Sequence, residues 1–487
     1  MKKAPTIFHG LVDSVSFPNK GTVIPVDPER SESEAPAAGF SVYETPTKPV
    51  HVKNVLPGQK VEIGQSNHQR KRREGTLRQV LAPAPYEVPS PCPHAQFCGG
   101  CSYQTVPYEV QLQWKQEMVQ KLLDEVLDRS AYQFLPIHSS PIQYGYRNKM
   151  EFSFGDEYKD GPLALGLHKQ GAHHDIVPVT DCQIVHPDFR TLLSGVLDYF
   201  TKAESSYYNT RSHTGFLRHL VVRRSFKDNG VMVNLVTSSA GTLDKQAFVD
   251  YLTSLPLEGK LSGILHTVND SLADVVQADS LEVLYGEPDL TEGLLGLNFR
   301  LSPFSFFQTN TLGAEVLYQT VLDMAGDIKD LTLFDLYCGT GTIAQILAHG
   351  GAKQVLGIEL IAEAVDAARE NAALNGLTNC SFQAGDVLKL VDTLEVHPDL
   401  IVLDPPRDGI HPKALPKILA YEPDRFIYVS CKPTSLVRDI PAFIEAGYKV
   451  EKVQCVDMFP GTVHVETVAL LSHSNPDSTR IIKGELH

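Results

Sequence analysis

The chain has 487 residues, 42% of them hydrophobic and 21% charged, which is the make-up of an ordinary globular protein. Its length exceeds what one core organises and implies about two to four domains. The formal net charge of −15 excludes a protein that coats polynucleotide indiscriminately, because phosphate contacts draw on Lys and Arg.

The opening stretch MKKAPTIFHGLVDS carries two lysines without an apolar run behind them. No secretory signal is read there, and a cytoplasmic chain is expected. No run approaches the ~18 apolar residues that span a bilayer, so no membrane partner is expected. Residues 5–81 alternate short β-like runs (GLVDSVS, GTVIPV, FSVYET, HVKNVLPGQKVEIGQ) with Gly and Pro, the pattern of a small all-β unit or barrel. A basic run, HQRKRR, covers His68–Arg73. LAPAPYEVPSPCPH (81–94) is Pro-rich and reads as a linker. Glu109–Arg129 has the period of one amphipathic helix. Residues 131–300 mix β-like runs (KMEFSFG, HLVVRRS, VMVNLVTS, GILHTVN) with helices. A second basic run, RHLVVRRSFK, covers Arg218–Lys227. From about 301 the apolar strands LTLFDLY, QVLGIEL, DLIVLD and RFIYVS alternate with helical segments, which indicates a parallel sheet covered by helices.

Eight cysteines are unevenly spread, three of them within Cys92–Cys101. In a chain read as lacking a signal peptide, that favours metal or catalytic roles over a disulfide framework. Cys92, Cys98, Cys101 and the distant Cys182 make four thiolates, a set that suits Zn or an iron–sulfur cluster, and the spacing leaves both open.

In the second half, LTLFDLYCGTGTIAQILA (331–348) reads as a strand ending in Asp335, a Gly-rich turn at Cys338–Gly341 and a helix start. The next strand, VLGIEL, ends in Glu359, where a carboxylate can accept hydrogen bonds from two ribose hydroxyls. The turn is not G-x-G-x-x-G and lies far from the N-terminus, which favours S-adenosylmethionine over a dinucleotide. Asp386 follows the third strand and Asp404–Pro405–Pro406–Arg407 the fourth, all at the C-terminal edge where open α/β sheets bind ligands. YVSCKPTSL (428–436) puts Cys431 at the same edge, with Lys432 and a helix expected near Thr434 to favour a thiolate. In HVETVALL, Glu466 sits in an apolar strand, either facing outward or serving as a general base of raised pKa.

Together, FFQTN (306–310), DLYCGTGT (335–342), GIEL (357–360), DPPRDG (404–409), VSCKPTSL (429–436) and FPGTVHVET (459–467) resemble the RNA uracil-5-methyltransferases, which make 5-methyluridine. The resemblance runs over nearly the whole chain and looks strongest to the iron–sulfur-containing 23S rRNA enzymes. It implies a multidomain α/β protein: a small OB-like β-barrel of TRAM type at 1–81, a central α+β domain with the cluster at 82–300, and a Rossmann-like class I methyltransferase domain at 301–487. It also implies S-adenosylmethionine contacts by Gln308, Tyr337, Glu359, Asp386 and Asp404. Cys431 would be the nucleophile adding to uracil C6, and Glu466 the base removing the C5 proton. The target base would have to leave its stack.

PCPHAQFCGGCSYQ and VTDCQI are similar to the family's 4Fe–4S ligand segments, which implies a structural or RNA-orienting 4Fe–4S cluster on Cys92, Cys98, Cys101 and Cys182. Arg147, Lys149, Arg218 and Arg223 lie in segments similar to the central RNA-binding region and are expected at phosphates. Two positions depart from the pattern: Lys432 stands where Asn is common, and Tyr337 where Phe is frequent. The partner expected is structured RNA, 23S rRNA before tRNA, bound by a monomer. Rival readings are an amino-group methyltransferase, which has no need of Cys431 and favours an aromatic residue where Arg407 stands, and an RNA-binding or assembly factor, which has no need of Cys431 or Glu466.

Overall fold

The computed structural model describes residues 6–26, 48–273, 278–391, 394 and 396–473. The FSVYET run of the sequence reading lies outside them. The chain separates into two compact units. The smaller comprises Met1–Pro91, Ser102–Val119 and Gly461–Val463, and the larger Cys92–Cys101, Gln120–Pro460 and His464–His487.

In the smaller unit, strands β1 (Thr6–Ser16), β2 (Lys20–Val26), β3 (Val50–Lys53), β4 (Lys60–Gln65) and β5 (Glu74–Ala82) close a barrel in the order β1-β2-β3-β5-β4. Alternation explains it: Phe8, Val12, Val23, Val50, Val52, Val61 and Ile63 point inward and form one core. The basic run becomes a short exposed helix, α1 (Asn67–Arg72), started by a Ser66–Gln69 capping box.

Helix α2 (Tyr108–Leu123) follows and stops earlier than its periodicity predicts. At the expected end, Asp128 accepts hydrogen bonds from the Ser130 amide at 2.8 Å and the Ser130 hydroxyl at 2.6 Å, a local turn that competes with helix.

The larger unit continues with β6 (Gln133–His138), β7 (Lys149–Asp156), β8 (Leu163–Lys169), β9 (Ala172–Val177), α3 (Pro187–Lys202), β10 (Leu217–Arg224), β11 (Gly230–Thr237), α4 (Lys245–Ser254), β12 (Lys260–Val268) and β13 (Ser280–Gly286). Strands β13-β12-β11-β10-β7-β8-β9 form a seven-stranded sheet. The hairpin β14 (Leu290–Leu294) and β15 (Leu297–Leu301) leads to α5 (Thr311–Ala325).

The last part holds β16 (Thr332–Leu336), α6 (Thr342–His349), β17 (Gln354–Glu359), α7 (Ala362–Leu374), β18 (Cys380–Ala384), α8 (Val387–Leu390), β19 (Leu400–Leu403), α9 (Leu415–Leu419), β20 (Arg425–Ser430), α10 (Pro433–Glu445), β21 (Tyr448–Val456) and β22 (Glu466–His473). They make an eight-stranded sheet ordered β18-β17-β16-β19-β20-β22-β21-β6. Strands β18 to β20 in that order are parallel, and β22 is antiparallel to both β20 and β21. The central strands are buried on both faces, as the continuous apolar runs LIVL and RFIYVS require. The protein is thus multidomain α/β with mixed sheets and a methyltransferase-like fold. No described helix is long and apolar enough to cross a membrane.

Candidate functional site

The parallel strands bring their C-terminal ends into one row. Asp335 pairs in register with Gly357 and Val402, and Leu336 with Ile358 and Leu403. Tyr337, Glu359 and Asp404 therefore follow at one edge. The chain turns sharply there: Tyr337 has φ 69°, a left-handed conformation unfavourable for a bulky residue, and its amide and that of Cys338 donate to the Ile358 carbonyl at 2.9 and 3.0 Å. Gly341, at φ 73°, begins α6, and a Cβ on it would meet Phe382 and Ala368. Such a strain-bearing turn at a sheet edge marks a place where backbone is shaped around a ligand.

The carboxylates there differ in how they are held. Glu359 accepts from the Gly339 amide at 3.0 Å and the Ile361 amide at 3.0 Å, so its side chain is locked between the turn and α7. Asp335 is fully buried and accepts from the Ala344 amide at 2.8 Å, while its second oxygen has no partner. Burial, then Asp404 nearby, pushes its carboxyl up to about 8. Burial likewise lifts Asp404 to about 7. Asp386 caps α8 by accepting from the Leu388 amide at 3.0 Å and lies close enough to Tyr337 to raise its hydroxyl, after burial, to about 12. Gln308 is anchored through its carbonyl, which accepts from the Asn148 side chain at 2.9 Å, and its side chain hydrogen-bonds the buried Tyr318 hydroxyl. Thr340 of the turn donates to the Phe306 carbonyl at 3.3 Å, tying this segment to the same edge.

The reactive pair stands beside this row. Ser430 pairs with Thr467 across β20 and β22, so Cys431 and Glu466 occupy the next step of the same ladder. Glu466 is 4% exposed, and burial followed by the charge of Asp404 raises its carboxyl to about 8, with Arg407 opposing. Glu466 therefore faces into the structure, which removes the outward-facing alternative. Cys431 is half-buried. Burial, Glu466 and Asp404 push its thiol up to about 11, while the charge of Arg407 and a hydrogen bond from it pull the other way.

The cation on the thiol is thus Arg407, which the sequence reading passed over as part of DPPRDG. Lys432, expected to fill that role, instead reaches Asp408 at 3.8 Å in a well-exposed pair. It is the N-cap of α10, which begins at Pro433, and its side chain makes no capping hydrogen bond. The signal that could have found Arg407 is its charge within a sheet-edge loop already rich in carboxylates.

Of the four cysteines expected to act together, Cys92, Cys98 and Cys182 lie near enough to influence one another's thiols. None is disulfide-bonded. Cys92 raises the Cys98 thiol after burial, and Cys92 and Cys98 both raise Cys182, which burial lifts to about 11. The Tyr146 hydroxyl feels Cys101 and Cys182. The Gly100 amide points at the Cys98 sulfur at 3.4 Å. This donor chemistry suits iron or zinc, although among the described residues no three His, Cys, Asp or Glu are arranged to hold a metal ion.

The expected phosphate contacts divide. Arg218 is 3% exposed and donates to the carbonyls of Asn269, Ser271 and Ala273 at 2.7, 2.7 and 2.8 Å, with its guanidinium 4.1 Å from the Tyr208 ring centre. Arg223, also 3% exposed, donates to the Ser302 carbonyl at 2.9 Å and to Ser305. Both are spent inside the structure, and a phosphate role for them is corrected accordingly: every residue of β10 is buried because the strand lies within the sheet. Arg147 donates to the Lys149 carbonyl at 3.1 Å and is half-buried. Lys149 pairs with Glu151 at 2.7 Å.

A Gly-rich turn, a carboxylate after each of the neighbouring strands and a buried acid beside a thiol define a nucleotide-cofactor-dependent transferase. Comparison sharpens the class. Residues 296–474 match the family described as tRNA (uracil-5-)-methyltransferase. The chain is 46% identical to an uncharacterized RNA methyltransferase of Clostridium tetani over 90% of this chain and 95% of that one. It is 45% identical to another from Caldanaerobacter subterraneus subsp. tengcongensis over 93% and 100%. In fold it is similar to the solved Pyrococcus abyssi tRNA (uracil-54, C5)-methyltransferase with S-adenosyl-L-homocysteine, at TM-score 0.71 and 23% identity, covering 95% of this chain and 100% of that one. The chain belongs to the RNA (uracil-5-)-methyltransferase family, and it is an S-adenosylmethionine-dependent one-carbon transferase.

Proposed function

We propose that this enzyme methylates C5 of a uridine in 23S rRNA through a covalent adduct on Cys431. The observation that carries the mechanism is the adjacency of Cys431 and Glu466 on one ladder, with Arg407 on the thiol. Uracil C5 is a poor nucleophile. Addition of the Cys431 thiolate to C6 opens the C5–C6 double bond and places an electron pair at C5. That pair attacks the sulfonium methyl, and S-adenosylhomocysteine departs with the electrons of the broken S–CH3 bond. Glu466 takes the C5 proton, the C5–C6 double bond reforms, and the Cys431–C6 bond breaks to restore the thiolate. The base must be extruded to place C5 and C6 against different partners.

In this reading Gln308, Tyr337, Glu359, Asp386 and Asp404 hold S-adenosylmethionine. Glu359, fixed by two backbone amides, is suited to the ribose. Asp335 and Asp404 supply negative charge toward the sulfonium. Cys92, Cys98, Cys101 and Cys182 would hold a 4Fe–4S cluster, which orders its loops and takes no part in methyl transfer, since that step moves no unpaired electrons. Resemblance and the four-cysteine donor set support the assignment. Protein purified anaerobically without brown colour and without iron would overturn it.

The three-part division at 81 and 300 accompanies the reading, with the barrel as a TRAM-type RNA-binding domain. The exposed basic helix α1 suits backbone phosphates, and Arg147 and Lys149 remain candidates for them. A monomer acting in the cytoplasm fits this role. The choice of 23S rRNA rests on resemblance to the iron–sulfur rRNA enzymes. Transfer RNA is the second reading, favoured by the substrate in the name of the Pyrococcus abyssi structure.

The test is tritium release from RNA labelled at uridine C5, using unmodified 23S rRNA and tRNA side by side. Release from the rRNA that requires S-adenosylmethionine supports the proposal. Release from tRNA alone keeps the chemistry and reverses the substrate. Replacing Cys431 with Ala should abolish transfer and spare cofactor binding, and full activity in that variant would refute the covalent route.

A further inference from the structure

Arg407 follows Pro405 and Pro406, whose rings fix φ before it, but Asp408 and Gly409 after it carry no such restraint. A guanidinium on a flexible stem holds one position only if its backbone is fixed. The loop is fixed by α10, the helix that starts directly after Cys431. The Ser435 hydroxyl donates to the Arg407 carbonyl at 2.6 Å. The Ile410 amide donates to Asp439 at 3.0 Å, and the same Asp439 oxygen accepts from the Tyr428 hydroxyl of β20 at 2.8 Å. Asp439 also accepts from Arg438 at 2.8 Å, and Arg438 donates to the Ile410 carbonyl at 3.3 Å. Between these contacts Gly409 turns at φ 75°, and its amide donates to the Pro406 carbonyl at 2.7 Å. A Cβ on Gly409 would fall 2.9 Å from Asp439 and 3.0 Å from the Ser435 Cβ, so the loop lies flat against the helix.

We infer that Ser435, backed by Asp439, is the positioning residue that holds the Arg407 guanidinium on the Cys431 thiol. The argument is one of shared anchoring. Cys431 leads into α10, and the first turns of the same helix grip the backbone of Arg407. The nucleophile and its cation are therefore referenced to one rigid element, and small movements of the sheet edge carry both together. Ser435 contributes the contact made to Arg407 itself. Asp439 fixes the far end of the loop and joins it to β20, the strand that ends one residue before Cys431. The Lys432–Asp408 pair closes the same loop from outside but is well exposed and contributes little.

The inference rests on Cys431 being the nucleophile of the proposed function. The groups facing its thiol are Arg407, Glu466 and Asp404, and Ser435 acts on the first of them only.

The experiment is the pH profile of Cys431 alkylation by iodoacetamide in the full-length protein, read on the Cys431 peptide by mass spectrometry. Ser435→Ala should slow alkylation at pH 8 by about two- to five-fold, the scale of one hydrogen bond. The profile should also move to higher pH. Thermal midpoint and S-adenosylhomocysteine affinity should stay at wild-type values, because the Asp439 contacts remain. Ser435→Thr, which keeps the hydroxyl, should restore the wild-type profile. A Ser435→Ala profile that superimposes on wild type overturns the inference. So does a slowed rate that Ser435→Thr fails to restore, or one accompanied by a lowered thermal midpoint. Retention of methyl transfer by Cys431→Ala is a separate result, and it overturns the underlying reading rather than the anchoring.

Discussion

Replacing Glu466 with Gln isolates the proton-removal step. The carboxyl is buried beside Asp404 and lifted to about 8, so at neutral pH it is mostly protonated and uncharged. An amide of the same shape therefore enters a pocket already adapted to a neutral group, and the fold should persist. The wild-type enzyme should show a rising pH limb. With the carboxyl near 8, about one molecule in eleven carries the ionised base at pH 7 and about ten in eleven at pH 9, a roughly ten-fold gain. Single-turnover tritium release from C5-labelled RNA should follow that gain in the wild type. In Glu466→Gln the limb should vanish and release should fall by about 10²–10⁴-fold, the usual share of a positioned base. Thiolate addition and methyl transfer need no proton from C5, so the methylated covalent adduct should accumulate as a protein–RNA species that survives denaturing gels. A Glu466→Gln enzyme that releases tritium normally, or that keeps the rising limb, would refute the assignment of Glu466 as base.

Arg218→Ala should destabilise the protein by about 3 kcal/mol, because the buried guanidinium is lost from three carbonyls that accept from it, and it should leave the salt dependence of RNA binding unchanged. Urea unfolding and RNA binding at several salt concentrations check both halves. Affinity for S-adenosylmethionine relative to S-adenosylhomocysteine should rise from pH 6 to pH 8.5. Asp404 and Asp335 ionise near 7 and 8, and only the former ligand carries a sulfonium charge to meet them. Calorimetric titration at the two pH values measures the ratio. Cys182→Ser should remove bound iron and its visible absorbance while the barrel's own stability stays unchanged, since Cys182 belongs to the larger unit.

The strands of the catalytic half were legible because a parallel sheet buries both faces and leaves unbroken apolar runs, each ending at a Gly or acidic residue. That Cys431 and Glu466 would stand at one sheet edge was legible from residue type and position. The partnership with Arg407 was not. It joins the loop after β19 to the residue after β20, with α9 and β20 between them in the chain, and nothing local distinguishes Arg407 from Lys432 as the nearer cation. The arginines of RHLVVRR misled for a related reason. A basic strand reads as surface, yet β10 is flanked by β11 and β7, and carbonyls of distant loops accept from the terminal guanidinium nitrogens of Arg218 and Arg223. The predicted helix to Arg129 overran because Val126 and Leu127 keep the helical spacing, while the backbone leaves α2 after Leu123 through turn bonds from the Glu125 amide to the Leu122 carbonyl and from the Val126 amide to the Leu123 carbonyl.

Asp335 and Glu466 lie buried and Asp404 half-buried along one stretch of the site, each displaced upward mainly by loss of water around it and secondarily, for Asp335 and Glu466, by Asp404. A carboxyl whose folded pKa is raised adds stability below its ordinary range and loses it as pH climbs through the raised value. The folded apo enzyme therefore gives up stability between pH 4 and about 8, and a structural role alone would not retain three such groups. Their cost is offset where positive charge arrives. Arg407 lies on the Glu466 side, and the sulfonium of the cofactor would lie on the Asp335 and Asp404 side. Methyl transfer then removes one of these cations, since S-adenosylhomocysteine is a neutral thioether at sulfur. On the proposed mechanism, the pocket that gripped the methyl donor would be left with unbalanced acids just when Glu466 would take a proton. Loss of the sulfonium raises the proton affinity of the neighbouring carboxyls, so the first half of the reaction makes Glu466 a stronger base for the second.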